Sequence, residues 1–272
     1  MERDSVPHTL LVATLVCIVC SVLVAGAAVG LRPRQQSNKR LDQKKNVLLA
    51  SGILSEGQRV SDDEIEQRFT TSIEKILINL ETGNPAASEA VDPETYDQRA
   101  ASKDPARSVP IPPAQDLAGI KQREKYGFVY KVRHPNGQLD RIVLPINGKG
   151  LWSTLYGFLA LDADGTTVRA ITFYEHRETP GLGAEIENPK WRAIWPGKQI
   201  FDESGEIKLE VIKGVVSPDS PRVKFEVDGI SGATITSKGV TNLIRYWLGP
   251  DAFGPYLQKL FGQSLGEGAN DG

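Results

Sequence analysis

The run "TLLVATLVCIVCSVLVAGAAVGL", from Thr9 to Leu31, holds 23 residues without a charge. At 1.5 Å per residue a helix of that length spans the hydrocarbon core of a bilayer. A soluble domain would have to bury such a helix on every side. A retained transmembrane helix is therefore expected over 9–31, after a short N-terminal segment at 1–8. The competing reading is a cleaved signal peptide, with "AGA" at 25–27 as the small-residue cleavage site. Against it, the apolar stretch exceeds the usual signal-peptide length and only Arg3 supplies a preceding base. Arg32, Arg34, Lys39, Arg40, Lys44 and Lys45 follow the run, and by the positive-inside rule they would hold the large domain in the cytoplasm.

The two cysteines, Cys17 and Cys20, both lie inside this run, so the rest of the chain is free of thiols. Disulfides, zinc–thiolate centres and cysteine-held iron–sulfur clusters are excluded from the soluble part, and no metal site is expected there. With 32 Lys and Arg against 34 Asp and Glu, net charge −2, no global field favours nucleic acid. The 272 residues, 40% of them hydrophobic, suffice for one large domain or two small ones.

Beyond Pro33, "QQSNKRLDQKKNVLLASG" reads as a helix ending at Gly52, and "SDDEIEQRFTTSIEKILINLETGN" as a second. In the second, Ser61 and Glu64 form a capping box, and Ile65, Phe69, Ile73, Ile76, Leu77 and Leu80 supply the apolar face. Six prolines between Gly83 and Ala118 predict irregular chain. Asn136-Gly137 and Asp164-Gly165 each sit between alternating runs and predict two hairpins. "IKLEVIKG" and "RVKFEVDG" are further candidate strands. Val240, Leu243, Ile244, Trp247 and Leu248 recur at helical spacing, Phe253 to Phe261 suggest a last short helix, and 263–272 reads as a solvated tail. The expectation is an α+β fold, largely antiparallel sheet with flanking helices. Residues 32–118 would pack on a domain at 119–262.

Two stretches could carry chemistry. "DGISGATITSKG", residues 228–239, puts Ser231, Thr234, Thr236 and Ser237 among small residues at a strand-to-helix junction. A helix start stabilises a phosphate on a neighbouring hydroxyl. The plain alternative is a tight turn in which Thr236 or Ser237 caps the helix. "EHRETPGLGAEI", residues 175–186, suits a type II turn at Thr179-Pro180-Gly181-Leu182 with a backbone bare enough for a flat ring. A solvated strand end at His176, Arg177 and Glu178 is its plain alternative. Neither standard nucleotide-binding fingerprint occurs. A hydrolase trio of Ser231, His176 and Asp228 can be assembled, but no G-x-S-x-G elbow supports it.

The anchor, "HRETPGLG" and "DGISGAT", in that order, resemble the FMN-binding domain family whose flavin is joined to threonine through a phosphoester. "NKRLDQKKNVLLASG" and "WLGPDAFGPYLQKL" further resemble the C subunits of sodium-translocating NADH:quinone reductases. The resemblance implies covalent FMN on Thr234. Asp228, Ser231, Gly232 and Ala233 then form the motif read by a flavin transferase, and Glu178, Thr179, Leu182, Gly183 and Thr236 are candidate flavin contacts. It implies an electron-carrier subunit of a membrane complex that oxidises NADH, reduces ubiquinone and pumps sodium, with the NADH and quinone sites on other subunits.

The same resemblance implies a bacterial inner-membrane protein with a periplasmic flavin domain. That opposes the basic residues after Leu31, although long domains translocate despite their charge. The G subunit of the related Rnf ferredoxin:NAD-oxidising complex is the alternative within the family. A membrane-tethered binding module without redox work is the alternative outside it.

Overall fold

The computed structural model describes residues 6–87 and 91–262. The expected tail at 263–272 and the first five residues lie outside that range. Helix α1 (Val6–Ala50) is continuous over 45 residues. Its most apolar window has a mean hydropathy of 2.7, and none of it is buried against protein. Cys17 and Cys20 are free and exposed on it. The sequence put a break at Pro33, but the helix runs through that residue. Proline removes one N–H and usually kinks a helix; the Arg, Gln, Lys and Leu residues that follow have high helix propensity and carry it on.

The chain divides into two compact units after Gln43. The second begins with the end of α1, where Asn46, Val47, Leu48 and Ala50 are buried. Gly52, at φ 69°, ends the helix, as its position in the sequence suggested.

Helix α2 (Asp62–Ser72) follows, and Ser61 Oγ accepts the Glu64 N–H at 3.3 Å. The Glu64 carboxylate bonds Arg68 instead of closing the capping box. The second helix was expected to run on through Leu80; it stops at Ser72, and Ile73–Asn79 is strand β1. Two causes are visible. Thr70 and Thr71 turn their hydroxyls back onto the carbonyls of Glu66 and Gln67, a habit that weakens a helix end. The β-branched Ile73, Ile76 and Ile78 then gain a full antiparallel partner in strand β4 (Tyr126–Arg133).

Between them lie a short helix α3 (Gln98–Ala101) and the paired strands β2 (Ser108–Pro110) and β3 (Gln122–Glu124). Strands β5 (Leu139–Lys149), β6 (Thr154–Asp162) and β7 (Val168–Glu175) complete a five-stranded sheet in the order β1-β4-β5-β6-β7. Every neighbouring pair in it is antiparallel. The two expected hairpins form, with Gly137 and Gly165 at positive φ in their turns.

After a short helix α4 (Pro189–Arg192), the two further candidate strands shrink to the parallel two-residue pair β8 (Glu210–Val211) and β9 (Glu226–Val227). Lys213 onward departs from the ladder: Gly214 takes φ 89° and accepts the Gly229 N–H. Residues Val223–Phe225 form a 3-10 turn where strand was expected. Helices α5 (Thr234–Leu248) and α6 (Gly254–Phe261) close the chain.

The sheet alternates its side chains between two faces. Val129, Ile142, Leu144, Ile146, Leu159 and Ile171 join Val240, Leu243, Ile244 and Trp247 of α5 in the main core. Leu77 and Phe128 belong to a smaller cluster with Tyr96 and Ala101. Helix α5 comes close because two glycines allow it. A Cβ on Gly239 would lie 2.4 Å from the Lys149 carbonyl oxygen, and one on Gly148 would lie 2.6 Å from Leu243 Cβ.

Glu124, on β3, is buried and bonded to Gln98. Burial pushes its carboxyl up to about 7, against the pull of its hydrogen bonds and of Arg123. The folded chain therefore holds a proton there that the unfolded chain has already released. The resulting stability is fully present below the ordinary carboxylate range and is lost as pH rises through about 7. Glu124→Gln is expected to gain stability over the native chain at about pH 8, by on the order of 1 kcal/mol or more, and to gain little near pH 5. Urea denaturation at the two pH values measures this.

Candidate functional site

The end of β7, the turn after it, the loop between β5 and β6, and the start of α5 meet around one carboxylate. Glu178 is 5% exposed. Its Oε1 accepts the N–H groups of Trp152 at 2.9 Å and Ser153 at 3.2 Å, and Oε2 accepts that of Leu151 at 3.2 Å. The Thr236 hydroxyl donates to Oε2 at 2.7 Å. Burial opposes the charge on Glu178, but the Thr236 hydroxyl and the three backbone donors outweigh it and hold the carboxyl below its ordinary range.

Glycine makes room for this group. A Cβ on Gly150 would lie 2.6 Å from Glu178 Oε1, and one on Gly183 would lie 2.7 Å from both Glu178 Oε2 and Thr236 Oγ1. The turn at Thr179–Leu182 closes with the Leu182 N–H on the Thr179 carbonyl at 3.1 Å, and Gly181 has φ 75°. Both features suit the turn expected there. Its Leu182 reaches the second stretch: a Cβ on Gly232, itself at φ 72°, would lie 2.7 Å from Leu182 Cδ2. The two sequence stretches singled out separately are thus in contact.

At the start of α5 the N-cap is Ala233, which has no side chain able to cap. Thr236 or Ser237 was the alternative cap, and neither serves. Thr236 is spent on Glu178, and Ser237 Oγ accepts the Ile230 N–H at 3.2 Å. Among the described residues, the first N–H groups of the helix therefore have no side-chain acceptor. Thr234, the first helical residue, is exposed, as are Ser231 and Gly232, while Ala233 is buried. Asp228 is tied down: its Oδ1 accepts the Val216 N–H and its carbonyl accepts Trp191 Nε1, each at 2.8 Å.

The hydrolase trio does not assemble. His176 Nδ1 accepts the Glu178 N–H and Nε2 lies 2.9 Å from Glu187, so neither nitrogen is turned to Ser231 or Asp228. Thr179 and Leu182 are exposed beside the site, and Gly183 is buried under it.

Sequence reasoning missed Leu151 and Trp152. Trp152 is 66% exposed, and with Leu151, Leu182 and Ile235 it leaves large apolar side chains open to solvent on the segments that meet here. Isolated exposed apolar residues are ordinary, but several brought together mark a binding surface. The available signal was a tryptophan two residues after Gly150, which follows the end of β5. The hydrogen bonds to Glu178, made between segments distant in the chain, tie that loop to the helix start.

Residues 150–249 match the FMN-binding domain family. The chain is 46% identical to the C subunit of the Na(+)-translocating NADH-quinone reductase of Yersinia pestis, over 95% of this chain and 94% of that protein. It is 48% identical to the corresponding protein of Pseudomonas aeruginosa, over 95% and 97%. Among solved structures, Shewanella oneidensis NqrC superposes with a TM-score of 0.73 at 35% identity, covering 82% of this chain and 98% of that one. The C subunit from Parabacteroides distasonis gives 0.61 at 30% identity, covering 84% and 96%. The chain belongs to the family of C subunits of the Na(+)-translocating NADH-quinone reductases.

Proposed function

We propose that this chain is the electron-carrying C subunit of a sodium-translocating NADH:quinone reductase, with FMN joined through a phosphodiester to Thr234. The Rnf alternative is not favoured, because the relatives are named as C subunits of the NADH-quinone reductase. The match to an FMN-binding domain likewise disfavours a module without redox work.

The residues present fit the cofactor. Thr234 offers an exposed hydroxyl with no hydrogen-bond partner among the described residues, at the first position of an uncapped helix. This observation carries the proposal, since uncapped N–H groups and the helix dipole favour the charge of a phosphodiester. Leu151, Trp152, Leu182 and Ile235 offer apolar surface for the ring system. Thr179 lies at the edge of that surface, and Gly183 leaves the space that Glu178 fills. Small Gly232 and Ala233 keep the approach to Thr234 open for a flavin transferase, and Asp228, with Ser231, shapes the segment such an enzyme would read.

FMN, when bound, supplies reversible electron uptake and release. The protein's part is to hold it. A tether on Thr234 keeps the group at a local concentration of roughly millimolar or above through every turnover. We assign the flavin domain to 119–262 and place it on the periplasmic side of the bacterial inner membrane, with residues 9–31 of α1 in the lipid and the other subunits of the complex as partners.

Two measurements test the proposal. Protein produced with a flavin transferase is expected to show flavin absorption after denaturation and a mass raised by one FMN less water. A colourless polypeptide of unmodified mass contradicts it. A reporter fused after Gly272 is expected to work only if it functions outside the cytoplasm. Activity of a strictly cytoplasmic reporter would reverse the assigned side.

A further inference from the structure

We infer that Glu178 is a positioning residue for the flavin, its carboxylate fixing the loop that carries Leu151 and Trp152 to the helix start that carries Thr234. The inference rests on the proposal that FMN is joined to Thr234.

The carboxylate is fully used by protein donors: three backbone N–H groups of the 151–153 loop and the Thr236 hydroxyl. It is 5% exposed. A direct contact between this group and a flavin ring would have to break one of those bonds. What the group does instead is join three segments that are distant in sequence. The β5–β6 loop supplies exposed apolar surface. The residue itself stands three positions past the end of β7. Thr236 lies two residues beyond Thr234, in the first turn of α5.

The attachment point and the Leu151–Trp152 part of the apolar bed thus come from different segments, with this one anion bonded to the loop of one and the first helical turn of the other. Gly150 and Gly183 leave space for the carboxylate and no more, since a Cβ on either would lie under 3.0 Å from its oxygens. A neutral amide cannot replace it. Glutamine would turn its NH2 group toward the Trp152 and Ser153 N–H donors in one orientation and toward the Leu151 N–H in the other.

The charge gives the role a pH signature. Since the carboxyl is held below its ordinary range, the clamp is intact at neutral pH, persists through the ordinary carboxylate range and is released only below it. His176, which accepts the Glu178 N–H, and its neighbour Glu187 are the titratable groups at hand. Exposed Arg177 adjoins them in the chain.

The test uses the full-length flavinylated protein in detergent and reads how far iodide quenches the flavin fluorescence as pH is lowered. Covalent flavin is first confirmed by mass in each variant. Native protein and Thr236→Ser are expected to shield the ring alike until the pH falls below the ordinary carboxylate range. In Glu178→Gln the iodide-open fraction is expected to rise about tenfold, the equivalent of one lost charge-assisted bond, with no acid transition. Thr236→Val is expected to open the ring part of the way.

Equal shielding and equal pH profiles in native protein and Glu178→Gln would overturn the inference. So would a native acid transition at or above the ordinary carboxylate range. If Glu178→Gln does not fold, equal shielding in Thr236→Val and Thr236→Ser is the overturning result. Native protein without covalent flavin would instead remove the Thr234 assignment on which the inference stands, and the mass measurement separates that failure from the others.

Discussion

Thr234→Val is expected to abolish covalent flavin and leave the fold as it was, whereas Thr236→Val is expected to keep the flavin and lose stability. The two hydroxyls are two residues apart, and the structure gives them opposite environments. Thr234 is exposed at the first position of α5. Replacing its hydroxyl with a methyl group there is expected to change stability by no more than about 0.5 kcal/mol. Thr236 is fully buried and donates to Glu178 at 2.7 Å, so no transferase can reach it without unwinding the helix start. Its loss leaves a buried anion one donor short, at a cost of roughly 1.5–3 kcal/mol. Denatured protein on a gel under ultraviolet light reads the first effect, and thermal melting reads the second. Fluorescence retained in Thr234→Val and lost in Thr236→Val would reverse the assignment.

Trp247→Ala is expected to have the largest effect on stability. Its indole is 1% exposed in the main core, its Nε1 donates to the Asn147 carbonyl at 2.6 Å, and its ring lies 5.6 Å from that of Phe253. Truncation removes one of the contacts between α5 and β5 and leaves a carbonyl unpaired, for a loss of about 4 kcal/mol. The melting temperature should fall by roughly 10 °C. Trp152→Ala is the control: its side chain is 66% exposed, and its removal is expected to change stability by less than about 0.5 kcal/mol. Calorimetry on the two variants distinguishes a tryptophan that holds the fold from one that faces a ligand. Similar melting temperatures for the two would contradict this division.

Much of the fold was legible because its signals are local. The uncharged run, the Asn-Gly and Asp-Gly turns and the helical spacing of Val240, Leu243, Ile244 and Trp247 each depend on neighbouring residues alone. The failures came where tertiary pairing overrode a local pattern. Ile73, Ile76 and Leu77 fit a helical face, yet strand β4 offers Ile73–Asn79 a full partner and the segment becomes strand. The run 207–214 alternates like a strand, yet beyond an isolated bridge from Ile207 to Phe201 it pairs in a ladder at Glu210–Val211 alone.

The site divides in the same way. Thr234 and the turn at 179–183 are readable as motifs. The burial of Glu178, the engagement of Thr236 and the arrival of Trp152 depend on contacts across 25 or more positions, and no local spacing encodes them. The resemblance offered Glu178 and Thr236 as flavin contacts. The structure shows them bonded to each other beneath the surface, which is why they are read as holding the site.

The central claim is that one phosphodiester joins FMN to Thr234. The most direct test is proteolysis of the native protein followed by tandem mass spectrometry of the peptide that spans Ser231 to Lys238. Fragment ions containing Thr234 are expected to carry the added flavin mass, while fragments holding Ile235, Thr236 and Ser237 without Thr234 are not. Flavin mass on fragments that hold Thr236 but lack Thr234, or an unmodified peptide from a fully flavin-loaded preparation, would contradict it.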